Sequence, residues 1–182
     1  MIEKILNRKK EFEEKLNKKQ KKLYTAFKFF LKLTILSIPL YIFLNLDLQF
    51  LWLRKLNASI VGEILVLLGI EAETYLNWVT TESLTLDVSR DSTAWKSMLA
   101  VMALVLATEK PFDYRLKGVV IGVLSVFIVN LLRISSMVFL VEVFQIGYEF
   151  IHTFLWRWGL TFYILIFWVT WLKYGEKVSK NK

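Results

Sequence analysis

One segment limits what this chain can become. From Val119 to Leu140 it is apolar, broken only by Ser125, Asn130, Arg133 and Ser135-Ser136. A helix needs about 20 such residues to cross hydrocarbon. Within lipid the backbone must satisfy its own hydrogen bonds, which leaves helices or closed barrels. The spacing predicts a span from about Gly118 to Val141. Similar runs lie at about Phe29–Leu46, with Pro39 placed to kink it, and at His152–Leu172. A shorter one runs from Ser92 to Thr108 and is closed by Pro111. The chain is 55% hydrophobic, against about 45–50% in soluble domains on a broader count. The fold expected is all-α, a polytopic integral membrane protein with about four transmembrane helices.

Two segments do not fit as simple spans. Leu48–Ile70 is apolar but carries Arg54, Lys55 and Glu63, which suggests an amphipathic helix on the outer surface or a re-entrant element. Glu71–Asp87 alternates weakly, as short extended structure or loop does.

Charge orients the spans. Residues 1–28 hold ten Lys/Arg against four Glu, and cytoplasmic flanks are rich in Lys and Arg. With four spans, the loop bearing Lys110, Arg115 and Lys117 and the tail bearing Lys173, Lys177, Lys180 and Lys182 share the cytoplasmic side with the N-terminus. The acidic segment Glu71, Glu73, Glu82, Asp87 and Asp91 then faces out. A fifth span at Leu48–Ile70 would put both the basic loop and the tail outside. The expected organisation is a basic cytoplasmic helix over 1–28, a membrane domain over 29–173 and a basic cytoplasmic tail over 174–182. The net charge of +8 reflects these flanks; no groove-sized basic patch calls for nucleic acid. No cleavable signal peptide is read at the N-terminus. The absence of cysteine removes disulfides and thiolate metal sites. Neither a metal nor a cofactor is expected.

In this orientation three chemistry-bearing residues from three helices reach one level, the outer face. Ser92 stands at or before the first turn of its helix. It is either an N-cap, a favoured use of serine, or a nucleophile in the partial positive charge of the helix start. A serine in that second role needs a base to take its proton. Arg133 lies inside an apolar run, where a charge costs about 2.5–3.5 kcal/mol by insertion scales. It either snorkels to the interface or serves as a fixed cation for a substrate carbonyl or oxyanion. Asn130, one turn earlier on the same face, either orients Arg133, contacts substrate or bonds a neighbouring helix. His152 is the only histidine and titrates near neutrality; it is an interfacial residue or a general base and acid. Arg157 either contacts substrate or pairs with Glu142, Glu149 or Asp91. Trp95, Trp156, Trp158 and Tyr148 read as an outer aromatic belt, with Trp95 also placed for substrate contact. Trp168, Trp171 and Tyr174 read as the inner belt. Gly118 and Gly122 have a spacing that suits close helix packing.

These motifs, in this order, resemble the archaeosortase/exosortase family of membrane-embedded transpeptidases. The nucleophile motif there is Cys-Thr/Ser-Gly followed by a small or basic residue and Ser; here it reads Ser92-Thr93-Ala94-Trp95-Lys96-Ser97. An Asn-x-x-Arg in the next span is matched by Asn130 to Arg133, and a His at the following span by His152. Leu65-Val66-Leu67-Leu68-Gly69-Ile70 resembles the Leu-Gly-Ile segment upstream. Two positions depart from the pattern, Ser92 for the cysteine and Ala94 for the glycine. The resemblance covers roughly Leu48–Leu172. It implies an enzyme that cleaves the C-terminal sorting signal of exported proteins, a short motif followed by a transmembrane span and a basic cluster. The new carboxyl end would pass to a membrane lipid or another acceptor. The residue at 92 would attack, His152 would move protons and Arg133 would steady the oxyanion or the substrate. Ser92 implies a Cys-to-Ser inactivated form, with a natural serine enzyme or a non-cleaving pseudoenzyme as alternatives. From other classes, a small substrate-capture subunit of a transporter and a structural assembly factor remain compatible with a compact multi-span chain.

Overall fold

The computed structural model describes residues 16–46, 48–145 and 159–180, with side chains of the last helix described to Tyr174. The fold is mostly helical. Helix α1 (Lys18–Leu36) opens on a reciprocal cap: Asn17 Oδ1 accepts from the Gln20 N–H, and Gln20 Oε1 accepts from the Asn17 N–H, both at 2.9 Å. The helix runs without interruption past residue 28. It breaks at Ser37, whose hydroxyl donates back to the Leu33 carbonyl at 2.8 Å. Pro39, in the first turn of α2 (Ile38–Asn45), has no N–H to continue the ladder. The expected kink is therefore a break two residues ahead of the proline. Together α1 and α2 form one of two segments, among the described residues, that are long and apolar enough to cross a membrane.

Helix α3 (Leu51–Leu67) buries one face, including Leu53, Asn57, Val61 and Leu65, and exposes Lys55 and Glu63. That is the amphipathic element expected of this stretch. It stops at Gly69 (φ +83) in a Schellman turn, with the Ile70 N–H on the Leu65 carbonyl and the Gly69 N–H on the Val66 carbonyl, both 3.0 Å. The Leu-Gly-Ile segment is thus a helix stop.

A three-stranded antiparallel meander follows, β1 (Glu73–Tyr75), β2 (Trp78–Thr80) and β3 (Thr85–Asp87), with Val79 opposite both Thr74 and Leu86. It adds a small sheet to a chain read as all-α. The weak alternation of this segment is real: Val79 and Leu86 point into the core while Trp78, Thr80 and Thr85 are exposed. Arg54 of α3 ties the sheet down, its Nη2 on Asp87 Oδ1 at 2.9 Å and its Nε on the Val88 carbonyl at 2.8 Å. From the far side Glu142 accepts from the Thr81 hydroxyl at 2.9 Å.

The 3-10 turn Arg90–Thr93 leads into α4 (Trp95–Ala107), and α5 (Phe112–Phe144) is the second segment of membrane-crossing length. α5 starts six residues before, and ends three after, the span read from hydropathy. α6 (Gly159–Lys180) completes the described chain. α5 serves two hydrophobic cores. Its second half packs with α3 and the sheet through Leu131, Ile134 and Val138. Its first half packs with α4 and α6 through Val126, Val101, Ile164 and Trp171. A Cβ built on Gly118 would stand 2.5 Å from the Trp171 indole, and one on Gly122 would stand 2.9 Å from the Phe167 ring. The two glycines therefore let α6 approach α5. Trp171 is accordingly buried against α5, stacked on Tyr114 at 4.8 Å, and takes no place in an exposed inner belt.

The Gly118→Val variant should overpack this contact, at a cost of about 1–3 kcal/mol. The thermal unfolding midpoint in detergent should fall. An unchanged midpoint would mean the α5–α6 packing is not as close as the structure has it.

Candidate active site

The two cores meet at a set of buried amides. Asn130, on the inward face of α5, is fully buried and uses both hydrogens of its side-chain amide. One goes to Asn57 Oδ1 on α3 at 3.1 Å and the other to the Ser92 carbonyl at 2.8 Å. Asn57, also fully buried, donates in turn to the Leu53 carbonyl at 2.8 Å. Asn130 Oδ1, although buried, has no hydrogen-bond partner among the described residues. An orphaned acceptor costs about 1–3 kcal/mol. The amide keeps this orientation because both groups it meets are acceptors, so turning it over would lose both bonds.

Of the three readings of Asn130, the structure favours the bond to neighbouring elements. The side chain has no exposed surface, so a substrate would reach it only if this packing opened. Asn57 was not found from sequence. The signal available was an amide on the apolar side of an amphipathic stretch, four residues from Leu53 and from Val61.

Ser92 is half-buried in the 3-10 turn. It is not the cap of α4: that position falls to Ala94, which caps with no side-chain bond. The Ser92 hydroxyl lies 3.0 Å from the Ser89 hydroxyl, and the Ser92 N–H reaches the Ser89 carbonyl at 3.1 Å. Thr93 closes the turn through a 2.8 Å hydrogen bond from its hydroxyl to the Arg90 carbonyl.

Ala94 has φ 58, in the left-handed region, where a Cβ costs roughly 1–2 kcal/mol. The turn from the 3-10 segment into α4 requires that backbone, which glycine adopts without penalty. Ala94 offsets part of the cost by burying its methyl in the α4 core, worth about 0.8 kcal/mol.

Arg90 holds the turn from the other side. Its Nη1 and Nη2 donate to the Leu46 and Phe43 carbonyls, at 3.0 and 2.8 Å, at the end of α2. Its guanidinium lies over the Trp95 ring at 4.8 Å. Trp95 is itself buried and packs on Phe50 at 5.4 Å. It is part of the support beneath the turn rather than an exposed belt residue, and a direct substrate contact would need that packing to open. Lys96 pairs with Asp91 at 2.9 Å. A polar cleft of about 480 Å³ opens beside the turn, bordered by Gln49, Arg54, Asp87, Ser89, Asp91 and Lys96.

Arg133 follows Asn130 by one turn and is half-buried. The backbone of α5 thus carries a buried anchor for the Ser92 turn and a cation within one turn of each other. Lys117, near the start of α5, lies about 24 Å from Arg133 along the helix at 1.5 Å per residue. His152, Arg157, Tyr148, Trp156 and Trp158 lie outside the described residues. Glu142 and Asp91, considered as partners for Arg157, engage Thr81 and Lys96.

These features define a helical membrane protein whose polar site is built where α3, the turn ahead of α4 and the long central helix α5 meet. A family model described as transmembrane exosortase (Exosortase_EpsH) matches residues 19–172, and the chain belongs to that family. The match includes α1 and α2 as well as the motifs, a wider reach than the resemblance read from Leu48 onward. No curated protein and no solved structure gives a match.

Breaking one member of the amide set strands its partner. Asn57→Leu and Asn130→Leu should each destabilise by about 1–3 kcal/mol. The double variant should cost less than their sum by about 0.5 kcal/mol or more. Denaturant unfolding of the four proteins checks this; strict additivity would mean the amides do not act together.

Proposed function

We propose that this chain is a membrane-embedded transpeptidase, or protease, of the sortase-like kind, and that residue 92 is its nucleophile position. The observation that carries the reading is the hydrogen bond from Asn130 to the Ser92 carbonyl. It joins the two motifs at one point in a member of the exosortase family. Arg133 would meet the developing oxyanion or hold the substrate carbonyl, and charge stabilisation at that point is commonly the largest catalytic contribution. His152 would take the proton from the nucleophile and return it to the leaving amine.

The reading has four spans, both termini inside and the site at the outer face, and the length of α5 supports it. α5 is about 50 Å long at 1.5 Å per residue, against about 30 Å of hydrocarbon. With Lys117 at one interface, Arg133 stands near the other and Glu142 beyond it, beside the sheet. That relieves most of the cost of a charge in the span. α4 is too short to cross alone, at about 20 Å, so its start and the Ser92 turn sit in a local recess. α6 would supply the last span. The partners are exported proteins ending in a short motif, a transmembrane span and a basic cluster, with a membrane lipid or another membrane anchor as the acceptor.

Ser92 marks a Cys-to-Ser inactivated form. A thiolate in the turn just ahead of α4 would be favoured by the field of the helix start, whereas a hydroxyl gains little there. No other cysteine competes. Co-expression with candidate exported proteins tests this. Ser92→Cys should cleave a cognate protein near its C-terminal span, with the parent inert. In the Ser92→Cys background, His152→Ala should slow cleavage by about a hundredfold or more, and Arg133→Ala should do likewise while both variants fold. Cleavage by the parent with an inert Ser92→Cys variant would overturn the assignment.

A further inference from the structure

A second site lies at the other end of α5, away from Ser92. Between α5 and α6 a groove of about 480 Å³ is lined by Lys117, Ile121, Tyr163, Ile166, Trp171 and Tyr174 among others. Its floor is fixed. The missing side chain of Gly118 lets the Trp171 indole lie against α5, and Tyr114 stacks on that ring and donates to the Trp171 carbonyl at 2.9 Å. Its walls are exposed and apolar: Ile121 and Ile166 show more than half their surface. Among the described residues Lys117 is the one charged residue in the lining, and Tyr174 lines the same groove.

The groove is thus amphipathic, with a cation at the helix ends and hydrocarbon surface beyond. Lys110, Arg115 and Lys173 add positive charge at the same end. Glu109, Asp113 and Glu176 are the nearby carboxylates in sequence, against Lys110, Arg115, Lys117, Lys173 and Lys177, and Glu109 is engaged by Lys28 at 3.0 Å. Basic pockets between membrane helices take anionic lipid headgroups.

We infer that this groove binds one anionic phospholipid. Its phosphate sits on Lys117 and the Tyr174 hydroxyl, and an acyl chain runs along Ile121 and Ile166 over Trp171. The site is independent of the reading at Ser92 and needs only that α5 crosses the membrane. It would hold α5 and α6 together at the end where Gly118 packs them.

Native mass spectrometry of the full chain, titrated with phosphatidylglycerol and phosphatidylcholine in detergent, tests it. The parent should retain one phosphatidylglycerol in preference by about fivefold, the increment of one lysine near an anionic headgroup. Lys117→Gln, at an exposed position, should bring the two lipids to parity. Lys55→Gln, on α3, should leave the preference intact, and Ile166→Trp should reduce retention by filling the groove. Equal retention by the parent, or a preference that survives Lys117→Gln, would overturn the assignment. A dimer that Ile166→Trp dissolves would give the groove to a second copy of the chain instead.

Discussion

The structure turns on what Asn130 does with two hydrogens. α5 is long enough to serve two hydrophobic cores, and each core could fold about it with some freedom of rotation. Hydrophobic contact is not directional; a hydrogen bond is. By donating to Asn57 on α3 and to the Ser92 carbonyl before α4, Asn130 fixes both elements against one face of α5. The unpartnered Oδ1 of the same amide is the cost of that arrangement. A leucine there would pack well and specify much less. Arg90 supplies the opposing clamp by holding the turn to the end of α2.

The polar groups at the site follow one physical rule. Arg90, Arg54 and Asn130 each reach a carbonyl outside the regular ladder, at an element end or in a turn, where backbone groups lack helical partners. Arg90 satisfies carbonyls at the end of α2, Arg54 a carbonyl after β3, and Asn130 a carbonyl in the 3-10 turn. This part of the chain is therefore a small polar-braced cap of α3, sheet and turn on a bundle that is otherwise apolar. A nucleophile seated in such a cap is held by several elements at once, which suits a reaction that tolerates little misplacement.

Much of this was legible in the residues. The run around Arg133 gave a membrane helix, the charges on Leu48–Ile70 gave an amphipathic element, and Gly118 and Gly122 gave a close helix contact. The order of Ser92, Asn130, Arg133 and His152 gave the family. What escaped depended on partners distant in sequence. Asn57 and Asn130 are seventy-three residues apart, and no local pattern pairs them. Trp95 read as a belt residue because belts are counted by residue type; its burial under Arg90 is a tertiary fact. The sheet was weak in sequence because its strands are three residues long and are held by Arg54 and Glu142 as much as by their own ladder. Ala94 was noted as a departure from glycine, and only the backbone reveals why glycine belongs there.

The central claim is that residue 92 is where the chemistry happens. The most direct measurement is the intact and peptide-level mass of Ser92→Cys protein recovered from membranes with its substrate and quenched in acid. The account predicts a thioester adduct carrying the substrate's new C-terminus, confined to the peptide that contains residue 92 and released by hydroxylamine. An adduct mapped to any other residue, or processing that proceeds equally with alanine at 92, would contradict it.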